Sequence, residues 1–487
     1  MPLSLAACLA AFVSTAACKS RSSKTTEKTG IGGGGSGGSA GASVLGTGGQ
    51  SASGGTGGAA SAAELCDDIP ADICASVRAM VAESSLAATP AVLWQSRIQY
   101  ESLFDDAGVV VAGTKIVVPA GPVVHFFDKS GNLTAQWTDS MGARVGGVVA
   151  DANGNVYGIG SALVGIDGSG ATLWQLYLRK DDPQSQISSP FVLSPAGVLY
   201  AALNDGRVVA VTKDGKEVWD VDLGAASTGL LAPKVMAGFD STLMVATPLA
   251  PFVPLSAGTG SVSADVRPVM SDVGTPVSTN PITFLRGFGS LVATTNGALE
   301  KVQVHIFDTQ GAQRWSSRVQ GWLSVDMRVT LDGRILLFRP ASGRAESGPW
   351  QAVRCGCQQP TAVVPLVSSL AAAVPAFSLI GSDGTIYVGL RDETTDPNHP
   401  AFELVAHDPD FRVLWRQTFR DQRFKSAPII DDDGVLYMVG QQLSYDLAGQ
   451  WQQTYGQLVA VQTASRGLAR TASAARRYDK GQTGWSP

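Results

Sequence analysis

The 487-residue sequence predicts an all-β fold, a β-propeller of eight four-stranded antiparallel blades closed by its own N- and C-terminal strands. Three observations predict it. Short β runs rich in Val, Ile, Leu and Tyr recur behind Asp-Gly or Asn-Gly turns. A second element of the form aliphatic-x-Asp-x-x-Gly-x-x-x-Trp recurs with them. The Trp residues then repeat at roughly 40–50 residues or twice that, the period of propeller blades.

The chain opens on an apolar, small-residue stretch, Leu3 to Ala17, that ends in Ala16-Ala17-Cys18 with no Lys or Arg before it. It reads as an export signal, 1–18, without the usual basic front end. The small-small-Cys ending resembles the bacterial lipoprotein signal, in which the thiol receives a diacylglycerol, and this makes Cys18 the expected lipid attachment. Cys8, in Leu5-Ala6-Ala7-Cys8, is the rival if translation starts upstream, and an ordinary cleaved signal is the other alternative.

Residues 19–63 form an expected disordered tether: Gly30 to Gly58 alone holds 15 Gly. Such a run buries nothing, and as a flexible coil of about 42 residues it reaches roughly 35 Å. A short Ala-rich helical segment follows, 64–90. Setting aside Cys8 and Cys18, four cysteines remain, Cys66, Cys74, Cys355 and Cys357, an even number consistent with disulfides in an oxidising compartment and open to three connectivities. Cys66 and Cys74 flank Ile69-Pro70, so a local bridge is the simplest pairing. Cys355-Gly356-Cys357 could close only a small, strained ring. A metal at that pair lacks ligands, since the four histidines are His125, His305, His399 and His407, with no spacing that gathers four donors.

The propeller is expected over 91–463. Its turn-then-strand signals are Asn155-Val156-Tyr157, Val198-Leu199-Tyr200, Arg334-Ile335-Leu336-Leu337, Thr385-Ile386-Tyr387-Val388 and Val435-Leu436-Tyr437. Seven residues separate Asp167 from Trp174, Thr212 from Trp219, Asp308 from Trp315, and Asp408 from Trp415. Thr212 stands in an Asp place, and Phe411 replaces the Gly of the Asp408 unit. From Asp128 to Trp137 the same motif is stretched to nine. The six blade Trp are therefore Trp94, Trp137, Trp174, Trp219, Trp315 and Trp415, each expected to cover the space between neighbouring blades.

Units begin near Ala107, Val148, Pro190, Pro233, Pro281, Met327, Ala376 and Pro428. The eighth ends without a Trp strand, and Val92-Leu93-Trp94 at the start lacks the strands before it, so the two fragments complete one blade. Seven blades is the alternative, because the units around 233–264 and 327–370 have no Trp at the expected place. After 463 the tail, 464–487, is basic and expected to be disordered.

A net charge of −5, from 36 basic and 41 acidic residues, leaves no basic field for a nucleic acid. No apolar run reaches 18 residues, which excludes a multi-span membrane protein.

Ser189-Pro190, Gly197-Val198-Leu199-Tyr200, Ala210-Val211-Thr212 and Gly215 to Trp219, repeated as Ala427-Pro428 and Gly434-Val435-Leu436-Tyr437, resemble PQQ-like propeller repeats. Those repeats occur in quinoprotein dehydrogenases and in the propeller lipoprotein of the outer-membrane barrel-assembly machinery, and the resemblance covers about 92–463. It implies the fold and leaves function to the site. Quinoprotein dehydrogenases hold the quinone beneath a ring of two adjacent cysteines, with Ca²⁺ and an Asp base. Here Gly356 separates Cys355 from Cys357. The acidic clusters Asp105-Asp106, Asp181-Asp182 and Asp431-Asp432-Asp433 fall in turns, where Asp is favoured for its own backbone hydrogen bonds. No Ser/His/Asp set, nucleophile elbow or phosphate-cradling loop is visible.

No catalytic, cofactor-binding or metal residue is assigned, and no cofactor is expected. The expectation is a monomeric, non-catalytic, membrane-anchored scaffold that binds protein partners at the bacterial envelope. The alternatives are a PQQ-dependent dehydrogenase-like enzyme and a carbohydrate or small-ligand binder. Three departures from the repeat, 246–276, 339–375 with Trp350, and 391–401 with Asp392, Glu393, Asp396 and His399, are where loops on a rigid ring would bind.

Overall fold

A computed structural model describes residues 90–98, 108–178, 192–203, 205–223, 234–239, 242–246, 253–262, 275–276, 283–285, 289–295, 301–308, 313–320, 324–329, 335–340, 350–355, 362–392, 395–396, 399–424, 428–445 and 451–468. The signal, the tether, all of the 64–90 segment but its last residue, and most of the basic tail lie outside them, as do Cys18, Cys66, Cys74 and Cys357.

The described chain is all-β, a β-propeller, and its strands pair into eight sheets. Sheets 1 to 3 span 110–138, 148–176 and 192–222, four antiparallel strands each. Sheet 4, 234–256, has three described strands, and sheet 5, 275–320, has five. Sheets 6 and 7, 324–365 and 374–420, return to four. Sheet 8 joins the two ends of the described chain: Ala91–Ile98 pairs antiparallel with Trp451–Gln462, in register from Ala91 opposite Gln462 to Ile98 opposite Gly456. Ala91–Ile98 is thus the outermost strand on that side of the sheet.

Why the middle strands read as unbroken apolar runs follows from where the core lies. Arg207–Thr212, with Val208 to Val211 all buried, has a neighbouring sheet on each face, so alternation has no solvent side to mark. Apolar clusters bridge sheets 8 and 1, 1 and 2, 2 and 3, 3 and 4, 6 and 7, and 7 and 8. The outermost strands, such as Glu217–Asp222, alternate between exposed and half-buried residues because only one face is covered.

Strand pairing gives every sheet two ends. The turns between first and second strands, and between third and fourth, lie at one, the turn end. Hairpins between second and third strands, and the exits to the next sheet, lie at the other, the crown end. Packing continues past the expected boundary at 463. Gly381 bridges Leu468, the Ser465 hydroxyl meets the Tyr387 hydroxyl at 2.7 Å and donates to Asp383 at 2.5 Å, and Leu468 packs against the clusters of sheets 7 and 8.

Candidate interaction surface

The turn end is built from one hydrogen-bond pattern used repeatedly. Asp128 accepts the backbone N–H of Ser130 and Asn132 at 2.9 Å each, and Asp151, Asp167, Asp408 and Asp431 do the same two and four residues on. The Asn132 side chain and backbone hold Asp128 below the usual carboxylate range, and Ser169 does so for Asp167. Thr212 fills the Asp place because its hydroxyl accepts the Lys216 N–H at 3.1 Å. Asp431, from the acidic cluster, is likewise a turn residue. It is buried, accepts the Tyr437 hydroxyl at 3.1 Å and pairs with Lys129 of sheet 1, which also reaches Asp433.

The blade Trp connect one sheet to the turn of the next. Trp94 donates its indole N–H to Lys129 O at 2.9 Å, Trp174 to Lys213 O at 2.5 Å, and Trp219 to Ala257 O at 3.1 Å. A Cβ on Gly131, Gly215 or Gly260 would lie 2.6–2.7 Å from the ring of Trp94, Trp174 or Trp219 respectively, so these Gly form the floor on which the rings lie. Across the sheet, Trp174, Trp219, Trp415 and Trp94 face Gly165, Ala210, Ala406 and Ala460. Those small residues let the Trp rings approach Tyr157, Tyr200, Tyr387 and Tyr437, with centroids 5.7–6.1 Å apart. The sequence motif shows the Trp and, in Ala210, one small residue of the repeat; that the small residue stands opposite the Trp follows from the strand register.

In sheet 1 the place seven residues after Asp128 holds Ala135, opposite the bulky Phe126. Trp137, two residues on and so on the same face, donates instead to the Thr172 hydroxyl at 2.9 Å, which is the physical content of the stretched spacing. The Trp315 indole N–H has no partner among the described residues, and the following turn of sheet 6, 356–361, lies outside them. Cys355 ends the third strand of sheet 6.

Sheet 6 carries no Trp on its outer strand, Ala362–Pro365, and the next turn carries Phe411 where Gly usually stands. Phe411 adopts φ +67°, a left-handed conformation costing roughly 1–2 kcal/mol for a residue with a Cβ. Its side chain is buried in the apolar cluster that joins sheets 6 and 7, with Leu336, Phe338 and Ala352 of sheet 6, and so adds an aromatic ring to a junction whose outer strand lacks a Trp. Phe411→Gly relieves the backbone and opens a cavity. A net loss of about 2 kcal/mol in chemical denaturation is expected, and a stabilised variant would mean that the ring fills nothing.

Trp94, Trp174, Trp219, Trp315 and Trp415 each follow a β-bulge. Leu93, Leu173, Val218 and Leu414 are among the extra residues, with no partner opposite them in the ladder, and they are 37–51% exposed. A bulge twists a free edge away from further pairing, so the outer rim is blunted against strand addition.

At the crown end, Asp139 is buried at the exit of sheet 1. It accepts the N–H of Met141 and Ala143 and both the N–H and hydroxyl of Ser161 in sheet 2, all at 2.8–3.0 Å. Its signal in the sequence is another Asp-x-x-Gly, Asp139 to Gly142. Glu403 of sheet 7 is fully buried and accepts the hydroxyls of Ser368 and Ser369 from the preceding connection at 2.7 and 2.6 Å. Asp392, from the 391–401 departure, is buried and accepts the Ala372 N–H and the Thr395 hydroxyl. These carboxylates are consumed in holding connections. His399 is exposed and pairs with Asp421 at 2.9 Å. Among the described residues no group of three or more His, Cys, Asp or Glu could hold a metal ion.

Residues 81–231 match the family described as outer membrane protein assembly factor BamB. Solved structures similar to the chain include BamB from Moraxella catarrhalis, at 13% identity over 77% of this chain and 100% of that one, TM-score 0.35. The Dos1 propeller is similar at 9% identity over 82% and 96%, TM-score 0.49. Virginiamycin B lyase from Staphylococcus aureus is similar at 15% identity over 61% and 95%, TM-score 0.40. No curated protein matches the sequence.

Proposed function

We propose that the chain is an exported lipoprotein of the bacterial envelope, anchored through Cys18, whose closed eight-bladed propeller binds protein partners and performs no catalysis. The observation that carries this reading is the match of 81–231 to a family described by assembly of outer membrane proteins. The site chemistry supports it: the buried carboxylates Asp139, Glu403, Asp392 and Asp431 all accept hydrogen bonds that fix loops and turns. The eight sheets and the pairing of Ala91–Ile98 with Trp451–Gln462 support the blade count and the closure. In this reading 19–63 is the tether, 64–90 a helical segment bridged through Cys66 and Cys74, and the basic tail begins after the packed residues 464–468, at 469.

Cys18→Ala is expected to move the protein from the membrane to the soluble exported fraction and to abolish incorporation of labelled fatty acid. Membrane retention with label intact would place the anchor at another residue, Cys8 first.

A further inference from the structure

Toward its crown end, sheet 8 carries a glutamine at each step across its width: Gln422 on Gln422–Phe424, Gln442 on Val435–Tyr445, Gln457 on Trp451–Gln462 and Gln95 on Ala91–Ile98. The register sets all of them on one face. Phe424, Met438 and Val459 belong to the apolar cluster that sheet 8 shares with sheet 7. Residues two or four apart along a strand share a face, and so do residues directly opposite each other. Gln422 therefore lies on the face of Phe424, Gln442 on that of Met438 and Gln457 on that of Val459, while Gln95 stands opposite Val459 itself. Below the row lie the rings of Phe402, Phe419 and Phe424, with centroids 4.8–6.2 Å apart.

The row runs from solvent into the seam between the two sheets. Gln95 and Arg97 on the outermost strand are exposed, Tyr455 and Gln442 are half-buried, and Gln457 and Gln422 are only 8% and 7% exposed. Donors of this row are in use. Gln457 Nε2 donates to Gln95 Oε1 at 2.6 Å, and Gln442 Nε2 donates to the carbonyls of Asp421 and Leu443 at 3.1 Å each. Acceptors are left over: Oε1 of Gln422 and Oε1 of Gln457 are buried with no partner among the described residues. A buried acceptor without a donor is costly, and two of them on one face of one seam call for donors from outside the chain.

We propose that the crown edge of the seam between sheets 7 and 8 binds an oligosaccharide, whose hydroxyls donate to Gln422 and Gln457. A hydroxyl both donates and accepts, so it satisfies a carboxamide turned either way. A docking peptide would instead need apolar anchors, and in the strands of these two sheets the exposed large apolar residues are Leu93, Val413 and Leu414, all in the turn-end halves of outermost strands. Charge does not choose the ligand. Arg97, 4.2 Å from the Tyr455 ring centroid, and Asp421, paired with His399, both border the row, so the test includes neutral and acidic sugars. The site stands apart from the protein-partner reading and uses neither the anchor nor the tether.

The test applies the full chain to an array of short neutral and acidic oligosaccharides, with a peptide array beside it, and measures each retained ligand by isothermal titration. The expected result is retention of a subset of the oligosaccharides, weakened roughly tenfold by Gln422→Leu and by Gln457→Leu with the melting temperature kept. Gln95→Ala, on the exposed outer strand and outside the core, should weaken it in the same direction, and Gln175→Leu on the outermost strand of sheet 2 should leave it unchanged. Retention indifferent to Gln422, Gln457 and Gln95 would overturn the site. Retention of peptides alone would overturn the ligand class. No retention on either array would reject binding here and reduce the two oxygens to acceptors for internal water.

Discussion

Trp174→Ala destabilises the protein by about 3 kcal/mol, and in that background Gly215→Ala costs only about 1 kcal/mol. In the unmodified protein Gly215→Ala carries two penalties. Its φ of +78° is left-handed, which Gly adopts freely and Ala does not, and the new Cβ would sit 2.7 Å from Trp174 Cδ2. Strain near 1 kcal/mol plus overpacking of about 2 kcal/mol gives roughly 3 kcal/mol. Removing the ring abolishes the second penalty and leaves the first. A double-mutant cycle by urea denaturation should therefore show a coupling of about 2 kcal/mol between residues on adjacent sheets. Additive losses would mean that the ring does not rest on that turn.

Acidification from pH 7 to pH 4 removes about 3 kcal/mol through His125 alone. The side chain is 2% exposed, stacks on Phe127 and leaves Nδ1 without a partner, and burial drives its pKa down to about 4, partly offset by a backbone hydrogen bond with Val118. Because the folded-state value lies below the unfolded one, the unfolded chain binds the extra proton between pH 6.5 and 4. Stability is complete above that window, declines as pH falls through it, and loses nothing more from this group below it. Burial lowers His305 and His407 too, which adds loss in the same direction. His125→Leu, close in volume and unable to charge, should flatten the difference in unfolding free energy between pH 7 and 4 by about 3 kcal/mol. An unchanged slope would place the acid response on other groups.

How far the fold was legible depended on which residues a blade cannot exchange. The Asp-to-Trp spacing was readable because an Asp turn, a Gly under the previous ring and a Trp on the outward strand must fall at fixed steps. Sheet 6 was faint for the opposite reason: Phe411 can do from one side of a junction what a Trp does from the other, and a motif search sees only the absence. Of the small residues opposite the Trp, Ala210 was visible in the repeat, while Gly165, Ala406 and Ala460 were hidden among many other Gly and Ala. The crown was the least legible part. Burial of Gln422 and Gln457 depends on what the facing sheet covers, and Asp139 and Glu403 gain their meaning only across two sheets. The departures at 391–401 marked a real irregularity, yet its Asp392 anchors a connection and is not offered to a ligand.

The pairing of Ala91 with Gln462 also sets a schedule for folding. A strand made early must wait, exposed on one edge, until the last strand of the body has been made before its partner exists. Sheets 1, 2 and 3 have all their rungs within short stretches and can form locally, whereas the final closure has to overcome the loop entropy of nearly the whole chain. The last sheet is therefore the slow step, and a chain stopped short of Trp451 leaves Ala91–Ile98 without a partner, a ready substrate for proteolysis.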